Sequence, residues 1–373
     1  MKKRISCAAL ALVTVLCVLS GCGAEKATTG EISIVKDTEF GNIYIEPSID
    51  GFNALGFDFG DSVDVRFDSG EELKDVPYYS GYYVPVGELL LCGYPGYPHP
   101  VLARNYGDPT WEEFGASEST RLTVTLNEKG KYLQVQELYA LNYSDERNDF
   151  DSDVIFANFR SVKGGNLKEG FIFRSASPCD DQHNRAAYAD RLIEDAGVRF
   201  VINLADNDVK IEGYAAEDGF DSPYYYELYR NALVLPLALN ANYRSDGFAA
   251  TISEALLVMT EHEGPVLVHC LEGKDRTGFV CALILALAGG SAQEVIDDYM
   301  ITYGNYYKVT KESAPDKYDA ILGNVYDFMY CLCEVEKGAD VAALDLKAGA
   351  ENYLRRGGLT DDDIAVIEGY ICK

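Results

Sequence analysis

The chain has 373 residues, enough for two domains of ordinary size, and a formal net charge of −28, from 60 acidic residues against 32 lysines and arginines. Because nucleic-acid binding depends on basic groups that neutralise phosphates, this charge excludes nucleic acid as a partner. The ten cysteines have no regular spacing, which excludes a disulfide framework and a zinc site, so we expect neither a metal nor a cofactor.

The N-terminal segment has the pattern of an export signal. A basic Lys2-Lys3-Arg4 run precedes an apolar stretch at 5–19, which is shorter than the roughly 20 apolar residues of a membrane-spanning helix. The following Leu19-Ser20-Gly21-Cys22 resembles the lipobox of bacterial lipoproteins, which implies that Cys22 is lipidated. We therefore expect residues 1–21 to be a lipoprotein signal peptide and the mature protein to be extracytoplasmic, lipid-anchored to the bacterial plasma membrane. The alternatives are an ordinary signal peptide, in which this cysteine is incidental, and an uncleaved helix.

Residues 31–143, which follow a polar tether at 22–30, are expected to form a small all-β domain. Apolar and polar residues alternate, as in half-buried strands, in the segments 32–35, 42–45, 62–67 and 121–126. The Pro- and Tyr-rich segment 94–100 predicts a loop. The domain resembles the C-terminal β-barrel of the S-adenosylmethionine hydroxide adenosyltransferases at 40–42, 60–63 and 86–90. That resemblance implies a barrel-like fold without a catalytic role.

From 145 to 373 the pattern changes to alternating strands and helices. Strands are predicted at 171–174, 200–204, 233–237 and 266–269, and helices at 184–196, 245–261, 277–288, 292–303 and 317–335, with a last helix capped by Thr360. Such alternation predicts an α/β fold, a mostly parallel sheet flanked by helices. Ligands in these sheets bind at the carboxyl ends of strands, where Cys270 lies.

Ten residues join a predicted strand to a predicted helix: His269-Cys270-Leu271-Glu272-Gly273-Lys274-Asp275-Arg276-Thr277-Gly278. A strand, a tight loop and a helix start place several backbone N–H groups around one point, which is a binding site for a phosphate dianion. The same N–H groups, with the guanidinium of Arg276, favour an ionised thiol at Cys270. We therefore interpret this segment as a phosphatase site.

Two other interpretations of the segment are weaker. An inert core cysteine, the usual state of a free cysteine, does not explain the charged Lys274-Asp275-Arg276 triplet between a buried strand and a helix. A nucleotide-binding loop requires a glycine where this chain has Val268, and Ser or Thr where it has Asp275.

The ten residues resemble the Cys-x5-Arg signature of the protein tyrosine phosphatase superfamily. The Gly-Lys-Asp-Arg-Thr-Gly portion is most similar to the bacterial branch of tyrosine-phosphatase-like and phosphoinositide-phosphatase-like enzymes. Three earlier blocks match that branch in order and spacing: Asn158-Phe159-Arg160, Gly170-Phe171-Ile172-Phe173-Arg174-Ser175 and Val198-Arg199-Phe200-Val201-Ile202-Asn203-Leu204. The resemblance covers roughly residues 150–370 and implies a tyrosine-phosphatase-like fold and cysteine-dependent hydrolysis of phosphomonoesters.

The chemistry then assigns a role to each residue of the loop. Cys270 attacks phosphorus to form a phosphocysteine intermediate, and Arg276 holds two phosphate oxygens in a bidentate grip. The backbone from Leu271 through Glu272, Gly273, Lys274 and Asp275 to Arg276 binds the phosphate. His269 is expected to order the loop, and Thr277 is expected to donate its hydroxyl to the sulfur of Cys270.

The general acid has two candidates. Asp275 lies in the loop, and the resembling branch has a proposed acid at this position. Asp206 follows a predicted strand end and is expected to close over the site as part of a mobile loop. The branch commonly has Asp where this chain has Asn203, so that assignment does not carry over. Asp275 is preferred, and Asp208 is interpreted as a turn or helix cap.

Three functions remain open. The first is a protein-tyrosine phosphatase, with activity toward phosphoserine and phosphothreonine as an extension. The second is a phosphoinositide or inositol-polyphosphate phosphatase, which Lys274 favours as a second cation unless it only pairs with Glu272 or Asp275. The third is a catalytically silent surface binding protein. The expected partners are accordingly a phosphorylated protein or an inositol phosphate, and the membrane through the N-terminal lipid.

Overall fold

Two separate sheets organise the protein. The computed structural model describes residues 26–373, so the predicted signal peptide and the lipidation site Cys22 lie outside the described residues. One sheet is a closed barrel and the other is an open five-stranded sheet. Across residues 26–373, no helix combines the length and the apolar character needed to cross a membrane.

The first sheet closes on itself in the strand order β1-β2-β6-β5-β4-β3-β7. Its strands are β1 (Ile32–Lys36), β2 (Ile43–Ile45), β3 (Ser62–Phe67), β4 (Glu72–Tyr79), β5 (Leu89–Cys92), β6 (Val101–Arg104) and β7 (Arg121–Glu128). Closure removes the unpaired edges at which a sheet would bind other chains. Alternate residues of β3, namely Val63, Val65 and Phe67, fill the barrel core. The expected barrel-like fold is confirmed.

Three strands of the barrel were not visible in the sequence pattern. β4 contains Pro77, which is uncommon inside a strand because it cannot donate a backbone hydrogen bond. β5 is an uninterrupted apolar run with three of its four residues buried, so it shows no alternation. Three short helices complete this region: α1 (Ile49–Ala54), α2 (Thr110–Glu113) and α3 (Leu133–Tyr139).

The second sheet has the order β11-β10-β12-β9-β8. Its strands are β8 (Arg160–Ser161), β9 (Ile172–Ser175), β10 (Phe200–Asn203), β11 (Val234–Pro236) and β12 (Val266–His269). β9 to β12 are parallel, and β8 is an antiparallel edge strand. The predicted mostly parallel sheet is confirmed. β12 is central and all four of its residues are buried, which explains its continuous apolar sequence.

The helices of this half are α4 (Asp153–Phe156), α5 (Ala186–Asp195), α6 (Asp208–Ala215), α7 (Pro223–Arg230), α8 (Asp246–Met259), α9 (Asp275–Leu287), α10 (Ala292–Tyr307), α11 (Pro315–Cys333), α12 (Leu346–Arg356) and α13 (Asp361–Ile371). The six predicted helices correspond to α5, α8, α9, α10, α11 and α13. Thr360 caps α13 as predicted, because its side chain accepts from the N–H of Asp363. Asp208 begins α6, and the cap of that helix is Asn207.

α9 is enclosed by the rest of the protein. Every residue from Thr277 to Leu287 is buried, as expected for a helix that is apolar on all faces. The helix therefore cannot shift without disturbing the core, and the loop before it is held at a fixed position.

The barrel is docked against the α/β half. α3 packs against α11, and the Tyr139 hydroxyl donates to the carbonyl of Ala320 at 3.2 Å. The connecting segment places Tyr143 on Tyr306 of α10, with ring centroids 5.2 Å apart. The buried Arg185 guanidinium lies 5.0 Å from each of these two rings. This junction brings barrel loops close to the end of β12.

Candidate active site

The predicted strand, loop and helix are all present around Cys270. β12 ends at His269, Cys270 follows with 3% exposure, and α9 begins at Asp275. The helix starts two residues earlier than predicted, which places Arg276 in its first turn. The thiol therefore lies at the floor of a helix N-terminus, where backbone dipoles favour negative charge.

The carbonyl groups of the loop are tied to the surrounding protein. Arg174 Nη2 donates to the carbonyl of Gly273 at 2.8 Å, and the Tyr306 hydroxyl donates to that of Glu272 at 2.8 Å. The N–H of Ser177 donates to the carbonyl of Leu271 at 2.9 Å. Since the N–H of a trans peptide points opposite to its neighbouring carbonyl, these bonds turn the loop N–H groups toward the space above Cys270.

Gly273 occupies a position that only glycine fits. Its φ is +64°, and a Cβ atom there would lie 2.1 Å from the carbonyl oxygen of Ser175. The loop thus packs directly on the end of β9, and the turn cannot accept a side chain.

A buried ion network supports the loop from behind. The Arg174 guanidinium is fully buried and pairs with Asp298 of α10, which also accepts from Arg160 Nε at 3.1 Å. Burial would raise the pKa of Asp298, but the two arginines outweigh it and hold that pKa below its usual value. Asn158 Nδ2 adds a bond to the carbonyl of Gly273 at 3.2 Å.

Sequence reasoning assigned no role to this network. Asn158, Arg160 and Arg174 stood inside the blocks that resemble the phosphatase branch, and that was the available signal. No sequence signal marked Asp298, because it lies in the middle of a segment whose pattern predicts a helix and nothing more.

Arg276 reaches across the site next to the sulfur. Its Nη1 donates to the carbonyl of Leu239 at 3.0 Å and to that of Leu204 at 3.4 Å. Burial would lower the pKa of Arg276, but the negative charge of Cys270 raises it above its usual value. The guanidinium is therefore permanently charged, and the carbonyls of Leu204 and Leu239 fix its position.

His269 is neutral and enclosed. Burial lowers its pKa to about 3, and Nδ1 lies 3.4 Å from the carbonyl oxygen of Cys270. A ring that stays neutral near pH 7 does not shuttle protons, which agrees with the predicted ordering role.

The predicted bond from Thr277 to the sulfur is not formed. The Thr277 hydroxyl is buried and has no hydrogen-bond partner within residues 26–373. α9 already begins at Asp275, so this side chain belongs to the enclosed first turn of the helix. Thr277 keeps its place beside the loop without the donor role.

Asp206 is not part of a mobile loop, contrary to the prediction. It is 1% exposed, and its carboxylate accepts from Asn203 Nδ2 and the Tyr214 hydroxyl, both at 3.2 Å. Its N–H in turn donates to Asn203 Oδ1 at 3.0 Å. The asparagine therefore closes a local turn that holds Asp206 in the protein interior.

Asp275 stands in a different environment. Its side chain is 41% exposed at the start of α9, and it accepts from Lys274 Nζ at 2.7 Å. Of the two predicted acids, Asp275 is the one with access to a bound substrate.

Lys274 is compensated by its neighbours. Besides Asp275, it lies 3.6 Å from the carboxylate of Glu272 and 5.9 Å from the centre of the Tyr303 ring. Burial would lower the pKa of Lys274, but Asp275 and then Tyr303 raise it well above its usual value. The structure thus shows the ion-paired state of this lysine.

Between residues 26 and 373, no three or more His, Cys, Asp or Glu side chains are grouped so that they could hold a metal ion. The seven cysteines of this range are free thiols.

Comparison with known proteins connects the site to a family. The model of the tyrosine phosphatase family matches residues 156–372, which is more than half of the chain. A tyrosine-protein phosphatase of Nostoc commune is 30% identical over 115 residues, covering 29% of this chain and 39% of that protein. The triple specificity protein phosphatase PtpB of Mycobacterium tuberculosis is 53% identical over 36 residues, covering 10% of this chain and 13% of PtpB. The chain thus spans less than half the length of these relatives.

Two of the solved structures with similarity to this chain are the following. P. aeruginosa TpbA is 20% identical, with 52% of this chain and 96% of TpbA covered and a TM-score of 0.28. The core catalytic domain of the PP-IP phosphatase SIW14 from S. cerevisiae is 20% identical, with 44% and 83% covered and a TM-score of 0.25.

Proposed function

Because the chain belongs to the tyrosine phosphatase family, we propose that it is a cysteine-dependent phosphomonoesterase that acts on phosphotyrosine in proteins. The Cys270 thiolate attacks phosphorus, and the bond from phosphorus to the tyrosine oxygen breaks as that oxygen takes a proton. Water then attacks the phosphocysteine, which releases inorganic phosphate and restores the thiolate. One observation carries the proposal: Cys270 lies beneath a loop whose carbonyls are tied outward, with Arg276 beside the sulfur.

Arg276 has the atoms that a bidentate grip needs. Its two bonds to protein carbonyls both use Nη1, so Nε and Nη2 are available to two oxygens of the phosphoryl group. Those oxygens carry the charge that develops in the transition state, and a fixed guanidinium stabilises it without reorganisation.

Asp275 is the proposed proton donor to the leaving tyrosine oxygen. It lies at the rim of the loop with an exposed side chain, whereas the buried Asp206 accepts from Asn203 in its own turn and from Tyr214 of α6. In the second step Asp275 would take a proton from the attacking water.

An inositol polyphosphate is the second candidate substrate, and Lys274 is the observation that favours it. A second phosphate could draw this lysine away from its present partners. However, Glu272 and Asp275 lie beside it, so a polyanion would meet two carboxylates at the rim. We therefore rank phosphotyrosine first, with phosphoserine and phosphothreonine as weaker substrates.

We also propose that the protein works outside the cytoplasm, with Cys22 lipidated. The lipobox-like Leu19-Ser20-Gly21-Cys22 supports this. Incorporation of a labelled fatty acid, abolished by Cys22→Ser, is the expected result; unchanged incorporation would contradict it.

The enzymatic proposal is tested with p-nitrophenyl phosphate. The wild type should hydrolyse it, Cys270→Ser should not, and Cys333→Ser, a change at a partly exposed thiol of α11, should match the wild type. Activity that survives Cys270→Ser would refute the mechanism, and a wild type without activity would favour a binding protein. A panel of phosphotyrosine peptides, phosphoinositides and inositol hexakisphosphate then separates the substrate classes.

A further inference from the structure

One barrel turn approaches the active site with a strained backbone. Tyr106, which follows β6, has a φ of +48°, a left-handed conformation that is unfavourable for a bulky side chain. Neighbouring bonds hold the turn in place: Arg104 donates from Nε and Nη2 to Glu113 at 2.7 and 2.6 Å, and Asn105 Nδ2 donates to the carbonyl of Val84 at 2.6 Å. Strain that is maintained in this way is found most often at functional sites.

The Tyr106 ring faces an aromatic side chain of the α/β half. Its centroid lies 6.0 Å from that of Tyr243, although Tyr106 remains 44% exposed. Tyr243 is itself rigid, because it stacks on Phe279 of α9 at 4.5 Å with an interplanar angle of 6°, and its carbonyl accepts from the Tyr353 hydroxyl at 2.7 Å. The two rings together stand beside the first turns of α9.

The Tyr243 hydroxyl is buried and has no hydrogen-bond partner in the described part of the chain. Burial is the main cause that raises the pKa of Tyr243 well above its usual value, and Tyr106, Asp275 and Cys270 raise it further. Geometry places Tyr243 beside the site: it follows Leu239, whose carbonyl accepts from Arg276, and its ring stacks on Phe279 in the first turns of α9.

A second barrel loop contributes Tyr94, which is 43% exposed. Burial and then the charge of Glu272 raise its pKa to about 12, so this ring is also close to the rim of the phosphate loop. The barrel thus presents the aromatic side chains of Tyr94 and Tyr106 toward the site.

We propose that Tyr106 and Tyr243 form an aromatic wall, built jointly by the barrel and the α/β half, that holds the aryl group of a substrate whose phosphate lies above Cys270. The barrel thereby selects aryl phosphates over alkyl phosphates. This inference rests on the proposed phosphatase function and assigns a specificity role to the barrel.

The experiment compares a phosphotyrosine peptide with the same peptide carrying phosphoserine, using the full chain. Tyr106→Asn removes the ring while an asparagine tolerates the left-handed backbone. It should raise KM for the phosphotyrosine peptide by about three- to tenfold, the range of an aromatic contact, and leave the phosphoserine peptide within about twofold. Tyr106→Phe should resemble the wild type, as should Phe40→Asn, which removes another exposed barrel ring. Equal losses on both peptides, or no change, would overturn the inference.

A binding measurement separates this inference from the proposed function. In the Cys270→Ser background, calorimetry with phosphotyrosine and with inorganic phosphate does not depend on turnover. If phosphotyrosine binds more tightly than phosphate and Tyr106→Asn removes that difference, the wall is supported even where the wild type hydrolyses neither peptide. If both ligands bind equally in the parent, the wall is refuted while phosphatase activity can still stand.

Discussion

The barrel and the α/β half use buried polar groups differently. In the α/β half, Arg174 and Asn158 donate to the carbonyl of Gly273 in the phosphate loop, and Asp298 accepts from Arg174 behind it. In the barrel, the buried Asp61 accepts from the N–H groups of Asp58 and Gly130, and so closes the turns between strands. Burying a charged side chain is unfavourable unless that charge is paired. The positions of buried charges therefore show where a fold needs a fixed geometry. The α/β half uses its buried polar groups to fix the phosphate loop, whereas the barrel uses them to fix the turns between its own strands.

The largest difference in kcat should separate variants of the two predicted acids, Asp275 and Asp206. Asp275→Asn is expected to lower kcat for phenyl phosphate by about 10²- to 10⁴-fold, the usual contribution of general acid catalysis. The effect on p-nitrophenyl phosphate should be much smaller, because its leaving group needs little protonation. Asp206→Asn keeps the side-chain size and should not show this leaving-group dependence. If Asp206→Asn shows the dependence and Asp275→Asn does not, the assignment must be reversed.

Alanine substitutions at two glycines compare the phosphate loop with the barrel. Gly273→Ala forces a Cβ against Ser175, and the displaced loop should lose about 10²-fold in kcat/KM, as a shift of roughly 1 Å in a catalytic group does. Gly60→Ala in the barrel would place its Cβ 2.7 Å from Leu133 Cα and should lower the Tm while kcat per folded molecule changes little. A Gly273→Ala enzyme with wild-type activity would show that the loop geometry is not required.

The sequence predicted those parts of the site that are contiguous in the chain. Cys270, Arg276 and their loop lie within ten residues, and the strand and helix around them follow from local patterns. Arg174 reaches the same loop only because β9 pairs with β12, and Asp298 reaches Arg174 only because α10 packs against α9. Tyr106 is even farther from Cys270 along the sequence, and its neighbours are determined by how the barrel docks on the α/β half.

Some local expectations failed for physical reasons that the pattern did not show. Asp206 was expected in a mobile loop, but the Asn203 side chain bonds to it and to its N–H, which closes a turn. The helix α6 is short and has no distinct apolar face in the sequence, and α7 is a short segment rich in tyrosine.

A matched pair of acid-to-amide changes compares buried and exposed ion pairs. Asp298→Asn leaves the buried Arg174 and Arg160 without a counter-charge and should lower the free energy of unfolding by about 3–5 kcal/mol. Asp75→Asn removes the exposed pair with Lys131 in the barrel and should cost less than about 1 kcal/mol. Urea titrations of both variants provide the measurement. Similar values for the two variants would contradict the proposed importance of the buried network.

A pH dependence of stability is expected from His269. Burial lowers its folded-state pKa to about 3, whereas the unfolded chain has the ordinary value of about 6.5. The unfolded state therefore binds more protons in this window, so the contribution is complete above about pH 6.5 and is lost as the pH falls toward 3. The loss is at most about 1.4 kcal/mol per pH unit. His269→Asn should flatten this part of the profile of Tm against pH, and an unchanged profile would contradict it.

The central claim is that Cys270 becomes phosphorylated during turnover. Mass spectrometry of the enzyme, acid-quenched during hydrolysis of p-nitrophenyl phosphate, should find a phosphoryl group on the peptide that contains Cys270. The same digest should show no such group on the peptide of the buried Cys331, which serves as the internal reference. Product formation without a phosphoryl group on Cys270, or with the group on another residue, would contradict the mechanism.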